Sequence, residues 1–261
     1  MSSRGCGCRQ RQGKIVQGLE PARCWQRLFS GTPPMPPRTD DMLLDLEKLR
    51  QQQVALARQV RLVALARPPA TVAGVDAAMA GERIVAVAVL YDFVTLTPLE
   101  AACVIEPPPL PYIPGFLAFR EGPALAAAVR RLTRRPDLLI VDGQGIAHPR
   151  RCGLACHLGV ELGLPALGCA KSRLIGRYAE PAAERGAHTP LMHLDATIGA
   201  VVRTRNGVKP VFVSPGHLLT LDDAIALVLR TTAGFRLPEP QRAADRHAAA
   251  CKRRLLAEAD V

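Results

Sequence analysis

The sequence predicts an α/β fold: one mixed β-sheet, built from three antiparallel strands and then an α-β-α-β succession, flanked by helices. Three observations carry this expectation. Short β-rich runs at Thr71 to Asp76, Arg83 to Tyr91 and Leu99 to Ile105 are separated only by Gly81-Glu82 and Thr97-Pro98, the spacing of an antiparallel meander. The run Leu138-Leu139-Ile140-Val141 is aliphatic throughout, as expected of a strand covered on both faces. Helical patterns alternate with further strand-like runs after it, and such a succession makes a single sheet with helices packed on it.

Taken in order, residues 1–41 carry Gly, Arg, Gln, three cysteines and the piece Thr32-Pro33-Pro34-Met35-Pro36-Pro37 with no helical or strand period. They read as a disordered leader, or as a sign that translation starts at Met42. A helix is expected from Met42, capped by Asp40 or Asp41, with Leu43, Leu44, Leu46, Leu49, Val54, Leu56 and Val60 on its apolar face. After the meander, the proline-rich stretch from Glu106 to Gly115 suits neither regular state. A helix follows from Phe116 or Gly122 to Leu132, then strand 138–141, a helix near 152–162 and strand 165–169. Strands near 197–203 and at 210–213, helix 221–232 and a last helix near 239–256 complete the order.

Composition narrows the class. A chain of 261 residues with 48% hydrophobic content supports one large core, and residues 42–261 are read as a single domain. No apolar run approaches the roughly 18 to 20 residues of a membrane span, and no signal-like segment opens the chain. The net charge of +11 favours an anionic partner, nucleic acid first. The eight cysteines form no disulfide framework, which points to a reducing compartment and a cytoplasmic protein. Cys152 and Cys156 stand near His148 and His157, but the ligand spacings of a zinc knuckle are missing. There is no Gly-x-Ser-x-Gly elbow, P-loop or dinucleotide fingerprint.

Three acids occupy comparable places. Asp76 stands in or at the end of the first strand, Glu121 near the start of the first helix after the proline loop, and Asp142 at the end of the fourth strand. If the first and fourth strands are neighbours, Asp76 and Asp142 face each other and repel unless a cation lies between them or one takes a proton. A hard divalent ion suits such a site, and phosphodiester cleavage is chemistry it supports. Taken singly, each acid reads as a turn, cap or helix-dipole residue, and it is their joint placement in this strand order that points to a metal. Lys171 follows an apolar strand and His217 follows Ser214-Pro215-Gly216, so both are placed at the same sheet edge. His148-Pro149-Arg150-Arg151 supplies groups suited to phosphate contacts.

Pro111-Tyr112-Ile113-Pro114-Gly115-Phe116-Leu117-Ala118-Phe119-Arg120-Glu121, Val141-Asp142-Gly143-Gln144-Gly145-Ile146-Ala147-His148-Pro149-Arg150-Arg151 and Gly168-Cys169-Ala170-Lys171 together resemble endonuclease V. Gly74-Val75-Asp76, Ser214-Pro215-Gly216-His217 and Arg236-Leu237-Pro238-Glu239-Pro240 extend the resemblance from Met42 to about Arg246. It implies a ribonuclease-H-like fold and a Mg²⁺-dependent DNA repair endonuclease, Mn²⁺ substituting, that cuts the second phosphodiester bond 3′ to deoxyinosine. The alternative within the family is an endoribonuclease acting on inosine in RNA. The implied partners are DNA containing deoxyinosine or other deaminated bases, with no membrane and a monomeric enzyme.

By position, the resemblance makes Asp76, Glu121 and Asp142 metal ligands, with Lys171 and His217 assisting. Tyr112, Ile113 and Pro114 belong to a wedge that fills the gap left by the turned-out base. Gly115, Leu117, Gly143, Ala170 and Leu174 line the base pocket; His148 and Arg150, by their own chemistry, are read as the hold on the nucleic-acid backbone. Flanking prolines stiffen such a wedge, and glycines permit close approach of a flipped base. Gln144 stands where many bacterial members carry histidine, and no role is assigned to it. A non-catalytic nucleic-acid binder that kept the fold is the reading from another class, and the intact acid set argues against it.

Overall fold

The structure, a computed structural model, describes residues 46–259. Its centre is an eight-stranded sheet in the order β3-β2-β1-β4-β5-β8-β7-β6. The strands are β1 (Thr71–Ala80), β2 (Arg83–Asp92), β3 (Pro98–Glu106), β4 (Leu138–Val141), β5 (Ala166–Ala170), β6 (His188–His193), β7 (Ala196–Val202) and β8 (Val211–His217). β1 and β4 pair in parallel, as do β4 and β5; the other neighbours are antiparallel. The helices are α1 (Leu46–Ala57), α2 (Leu117–Arg130), α3 (Leu154–Leu162), α4 (Leu221–Thr231) and α5 (Glu239–Ala259).

Side chains alternate along a strand, so each central strand feeds two cores. Val72, Leu138, Ile140, Leu167 and Cys169 pack under α4 and α5. Ala73, Val75, Leu139 and Val141 pack under α2 and α3. The sheet is therefore covered on both faces at its centre, which is why β4 is aliphatic at every position. The β4 entry is secured by Asp137, whose carboxylate accepts bonds from the Ala70 and Thr71 backbone amides at 3.0 Å each and from the Thr71 hydroxyl at 3.1 Å. Burial pushes this carboxyl upward, but those bonds outweigh it and hold it below its ordinary value.

The sequence expectation holds for the meander, for the β1–β4 pairing and for α2 to α5, and differs at four places. β1 runs on to Ala80 because β2 pairs with it along its whole length, from Thr71↔Asp92 to Ala80↔Arg83. Asp76 is thus a mid-strand residue. β6 was not expected: it is a polar strand containing Pro190 at the end of the sheet, where a missing N–H is tolerated. β8 does not stop at 213. It continues through Ser214-Pro215-Gly216 to His217, with a register shift opposite Ala166/Leu167 that accommodates the proline. Finally, α1 does not dock by an apolar stripe. Val54 is exposed, and the buried residue of the helix is the polar Gln53. Leu43, Leu44 and the expected leader 1–41 lie outside the described residues.

One contact decides where α5 lies. A Cβ on Gly74 would stand 2.1 Å from both the carbonyl carbon and oxygen of Pro240, in the first turn of α5. The helix can approach β1 this closely only over glycine. Gly74→Ala is therefore expected to push α5 off the sheet, at a cost of about 1–3 kcal/mol in urea unfolding. An unchanged unfolding midpoint would show that this contact does not hold the helix.

Candidate active site

The same alternation aims the acids. Asp76 shares a face of β1 with Gly74, and Asp142 continues the face of Leu138 and Ile140, so both point toward α5. The Asp142 N–H donates to the Val75 carbonyl at 3.3 Å, one step beyond the Val75↔Val141 pair. This places the two carboxylates side by side where β4 ends and β1 continues. Lys171 follows Leu167 and Cys169 on the same face of β5. Its Nζ lies 2.7 Å from Asp142 Oδ2 and 3.5 Å from Asp245 Oδ1.

Asp245 is the acid that sequence reasoning missed. It comes from α5, one turn after Gln241 and just before Ala248 on the same helix face. Gln241 Nε2 donates to the Cys169 carbonyl at 2.9 Å, and Ala248 is buried in the core, so Asp245 between them faces the sheet edge. A carboxylate on the face set by Gln241, Ala244 and Ala248 was the available signal. Carboxylate oxygens of Asp76, Asp142 and Asp245 all lie within 4.8 Å of one another.

These charges are unfavourable as they stand. Burial, and then the neighbouring Asp142, push Asp76 up to about 7. Burial and then Asp76 push Glu121, on α2, to about 7 as well. Burial opposes the charge of Lys171, but the hydrogen bond and charge of Asp142, with Asp245 and Asp76, outweigh it and raise the ammonium above its ordinary value. An all-oxygen set of carboxylates this crowded, in which Asp76 and Glu121 are pushed up to about 7, fits a hard divalent cation. Asp76, Asp142 and Asp245 are the residues placed to hold one, with Glu121 beside them.

A cavity of about 330 Å³ opens next to this cluster. Tyr112, Gly115, Leu117, Gly143, His148, Ala170 and Leu174 line it, together with Asp142 and Lys171. Ile113 and Pro114 shape the loop that carries Tyr112, and Arg150 sits behind Gly115. The loop is pinned on both sides of its tip: Arg120 Nη1 donates to the Leu110 carbonyl at 2.7 Å, and Arg150 Nη2 to the Gly115 carbonyl at 2.6 Å. Between these anchors Tyr112 is 66% exposed, an aromatic presented to whatever docks there. Gln144 also lines the cavity, and its Nε2 donates to the Ser172 carbonyl at 3.0 Å. It braces the loop after β4 against the loop after β5, a tie no local pattern reveals.

His217 requires a correction. β8 runs antiparallel to β5, with Phe212 opposite Ala170 and His217 opposite Ala166. The histidine therefore ends at the sheet edge opposite Lys171, away from the acids. It is buried there, and its Nδ1 accepts the Arg61 N–H at 3.3 Å. The expectation failed because Ser214-Pro215-Gly216 reads as a turn while the chain stays extended.

The sequence profile described as Endonuclease V matches residues 54–246. The chain belongs to the endonuclease V family. It is 68% identical over 223 residues to an endonuclease V of Geotalea uraniireducens, covering 85% of this chain and 95% of that one. The crystal structure of the Streptomyces avermitilis endonuclease V superposes with a TM-score of 0.76 at 43% identity, covering 82% of this chain and 94% of that one. A Ciona intestinalis endonuclease V, crystallised with a 24mer DNA containing an inosine followed by a ribo-adenosine, shares the fold with a TM-score of 0.71 at 23% identity, covering 80% of this chain and 98% of that one. The ribonuclease-H-like arrangement implied by the sequence resemblance is the one observed, and the protein is an endonuclease. Among the described residues no helix is long and apolar enough to cross a membrane.

The raised carboxyls give the cation site a pH dependence with a definite sign. Protons on Asp76 and Glu121 compete with a cation below about pH 7 and leave as the pH rises through that value. Mg²⁺ or Mn²⁺ affinity, followed by titration calorimetry, is expected to rise about tenfold from pH 6 to pH 8 for each of these carboxyls that must give up its proton to the cation. Asp245→Asn is expected to weaken binding at both values. Affinity that is flat with pH, or indifferent to Asp245, would remove the cluster as the cation site.

Proposed function

We propose that this endonuclease repairs DNA carrying deoxyinosine: the damaged nucleotide turns out of the duplex into the cavity, and the second phosphodiester bond on its 3′ side is hydrolysed. The observation that carries this reading is the adjacency of a base-sized cavity, an exposed aromatic on a stiff loop and a cluster of carboxylates at one sheet edge. The net charge of +11 suits a polyanionic partner, and DNA containing an inosine is the ligand with which the Ciona protein of this fold was crystallised.

Each residue has a part in this reading. Tyr112, with Ile113 and Pro114 restricting its loop, enters the stack and takes the place of the extruded base, which compensates part of the unstacking. Gly115, Leu117, Gly143, Ala170 and Leu174 form walls small enough to admit a purine. Asp76, Asp142 and Asp245, with Glu121 alongside, hold Mg²⁺, for which Mn²⁺ substitutes. When bound, that ion lowers the pKa of water and stabilises charge on a leaving oxygen. Glu121, beside the aspartates on α2, is the carboxylate that accepts a proton from the attacking water. Lys171 keeps its charge, orients Asp142 through the 2.7 Å contact and offers a cation to the approaching phosphate.

The decisive test incubates the full chain with Mg²⁺ and matched DNA and RNA strands that each contain one inosine, and maps the cut. Cleavage one linkage beyond the inosine's own 3′ phosphodiester is expected in DNA. Asp142→Ala is expected to lose activity by on the order of 10³-fold or more while still binding the strand. Preferential cleavage of the RNA would make the protein an inosine-directed ribonuclease, and no cut in either strand would overturn the reading.

A further inference from the structure

Gln53 is 1% exposed, on a helix whose other described residues are exposed or only partly buried. Both ends of its amide are used. Nε2 donates to the Cys152 carbonyl at 2.7 Å, and Oε1 accepts from Arg150 Nε at 2.5 Å. These partners fix the amide's orientation, because a carbonyl only accepts and a guanidinium only donates. The helix thus docks through one polar side chain, which is an unusual way to hold a helix but a direct way to hold an arginine.

Arg150 carries the connection onward. Its guanidinium lies 4.5 Å from the Phe116 ring centroid, and its Nη2 donates to the Gly115 carbonyl at 2.6 Å. His148 adds a second donor to the same carbonyl. Its Nδ1 accepts the Arg150 N–H at 3.2 Å, so the neutral ring carries its proton on Nε2, which lies 3.2 Å from the Gly115 oxygen. Gly115 itself has a left-handed φ of +81°, and a Cβ there would stand 3.0 Å from Arg150 Nη2. The stem of the Tyr112 loop is therefore shaped around the guanidinium, and the guanidinium is held in place by Gln53, which itself lines the cavity beside Gly115.

We propose that Gln53 is a positioning residue for base recognition: through Arg150 it fixes the Gly115 end of the Tyr112 loop and the cavity wall that Gly115 forms. The inference rests on the reading of that loop as the element that replaces the turned-out base. A loop set before binding loses less freedom when the base enters, so the bracing acts on substrate capture. Gln53 contacts none of Asp76, Asp142, Asp245 or Lys171 through its hydrogen bonds, so the chemical step is not its target. Replacing it by leucine strands Arg150 Nε and the Cys152 carbonyl together. Glutamate keeps the acceptor for Arg150, adding an ion pair to it, but sets a carboxylate oxygen against the Cys152 carbonyl.

Steady-state cleavage of an inosine-containing duplex by the full-length protein with Mg²⁺ tests this, with the melting temperature of every variant measured alongside. Gln53→Leu is expected to raise KM at least about tenfold, since one buried hydrogen-bonding group left unpaired costs about that much and leucine strands two, with kcat within about twofold of wild type. Gln53→Glu is expected to recover most of the KM. Wild-type KM in Gln53→Leu overturns the proposal. So does a fall in kcat that follows a lower melting temperature with KM unmoved, or a Gln53→Glu variant no better than leucine. The wild-type control separates the two readings. If it cuts at inosine and the variants fail the pattern, only the role of Gln53 falls; if it does not cut, the functional reading falls and this inference with it.

Discussion

Two carboxylates stand side by side because β1 and β4 pair in parallel, and the register that matches Val75 with Val141 makes Asp76 the neighbour of Asp142. Burying like charges together is costly, and the rest of the site is organised around that repulsion. Lys171 arrives from the next strand to pair with Asp142, while Asp76 and Glu121 are driven to hold protons near neutral pH. The third acid of the cluster, Asp245, adds to the strain rather than relieving it. A fold that brings further negative charge to an already crowded edge is arranged for a cation, since hydrophobic burial alone would favour apolar residues there.

The cavity depends on a second constraint, the fixing of short loops at the ends of parallel strands. The loop after β4 lies so close to β5 that a Cβ on Gly168 would stand 2.5 Å from the Gly143 oxygen. Gln144 and the Gly145 N–H, which donates to Ser214 Oγ at 2.8 Å, tie that loop to β5's own exit and to β8. The Tyr112 loop is pinned separately by Arg120 and by Arg150 with His148. The result is a set of fixed walls around an open space, with an exposed aromatic at the rim.

Much of this is legible in the chain. Period-two runs and short turns give the meander, and an unbroken aliphatic run gives a strand buried on both faces. Asp142 stands out because it interrupts such a run, and the proline-flanked Tyr112 because its loop can adopt few conformations. The misreadings have physical causes too. Pro215 in Ser214-Pro215-Gly216 signals a turn locally, but pairing with β5 keeps the segment extended and carries His217 to the opposite edge. The apolar pattern of α1 suggested a core helix, whereas its docking rests on one amide that meets partners about a hundred residues away, Arg150 and Cys152.

By itself, then, the sequence determined most of the elements, the strand that ends in Asp142, the residues around the cavity and the family, because these depend on local periodicity and on contiguous motifs. Only the tertiary structure decided which acids meet. Asp245 reaches Asp76 through the packing of a helix over Gly74, His217 leaves the site through the direction of β8, and Gln53 reaches the Tyr112 loop through Arg150. Each of these is a contact between residues far apart in the chain, set by strand direction and by how closely two backbones can approach, and neither is written in any short stretch of sequence.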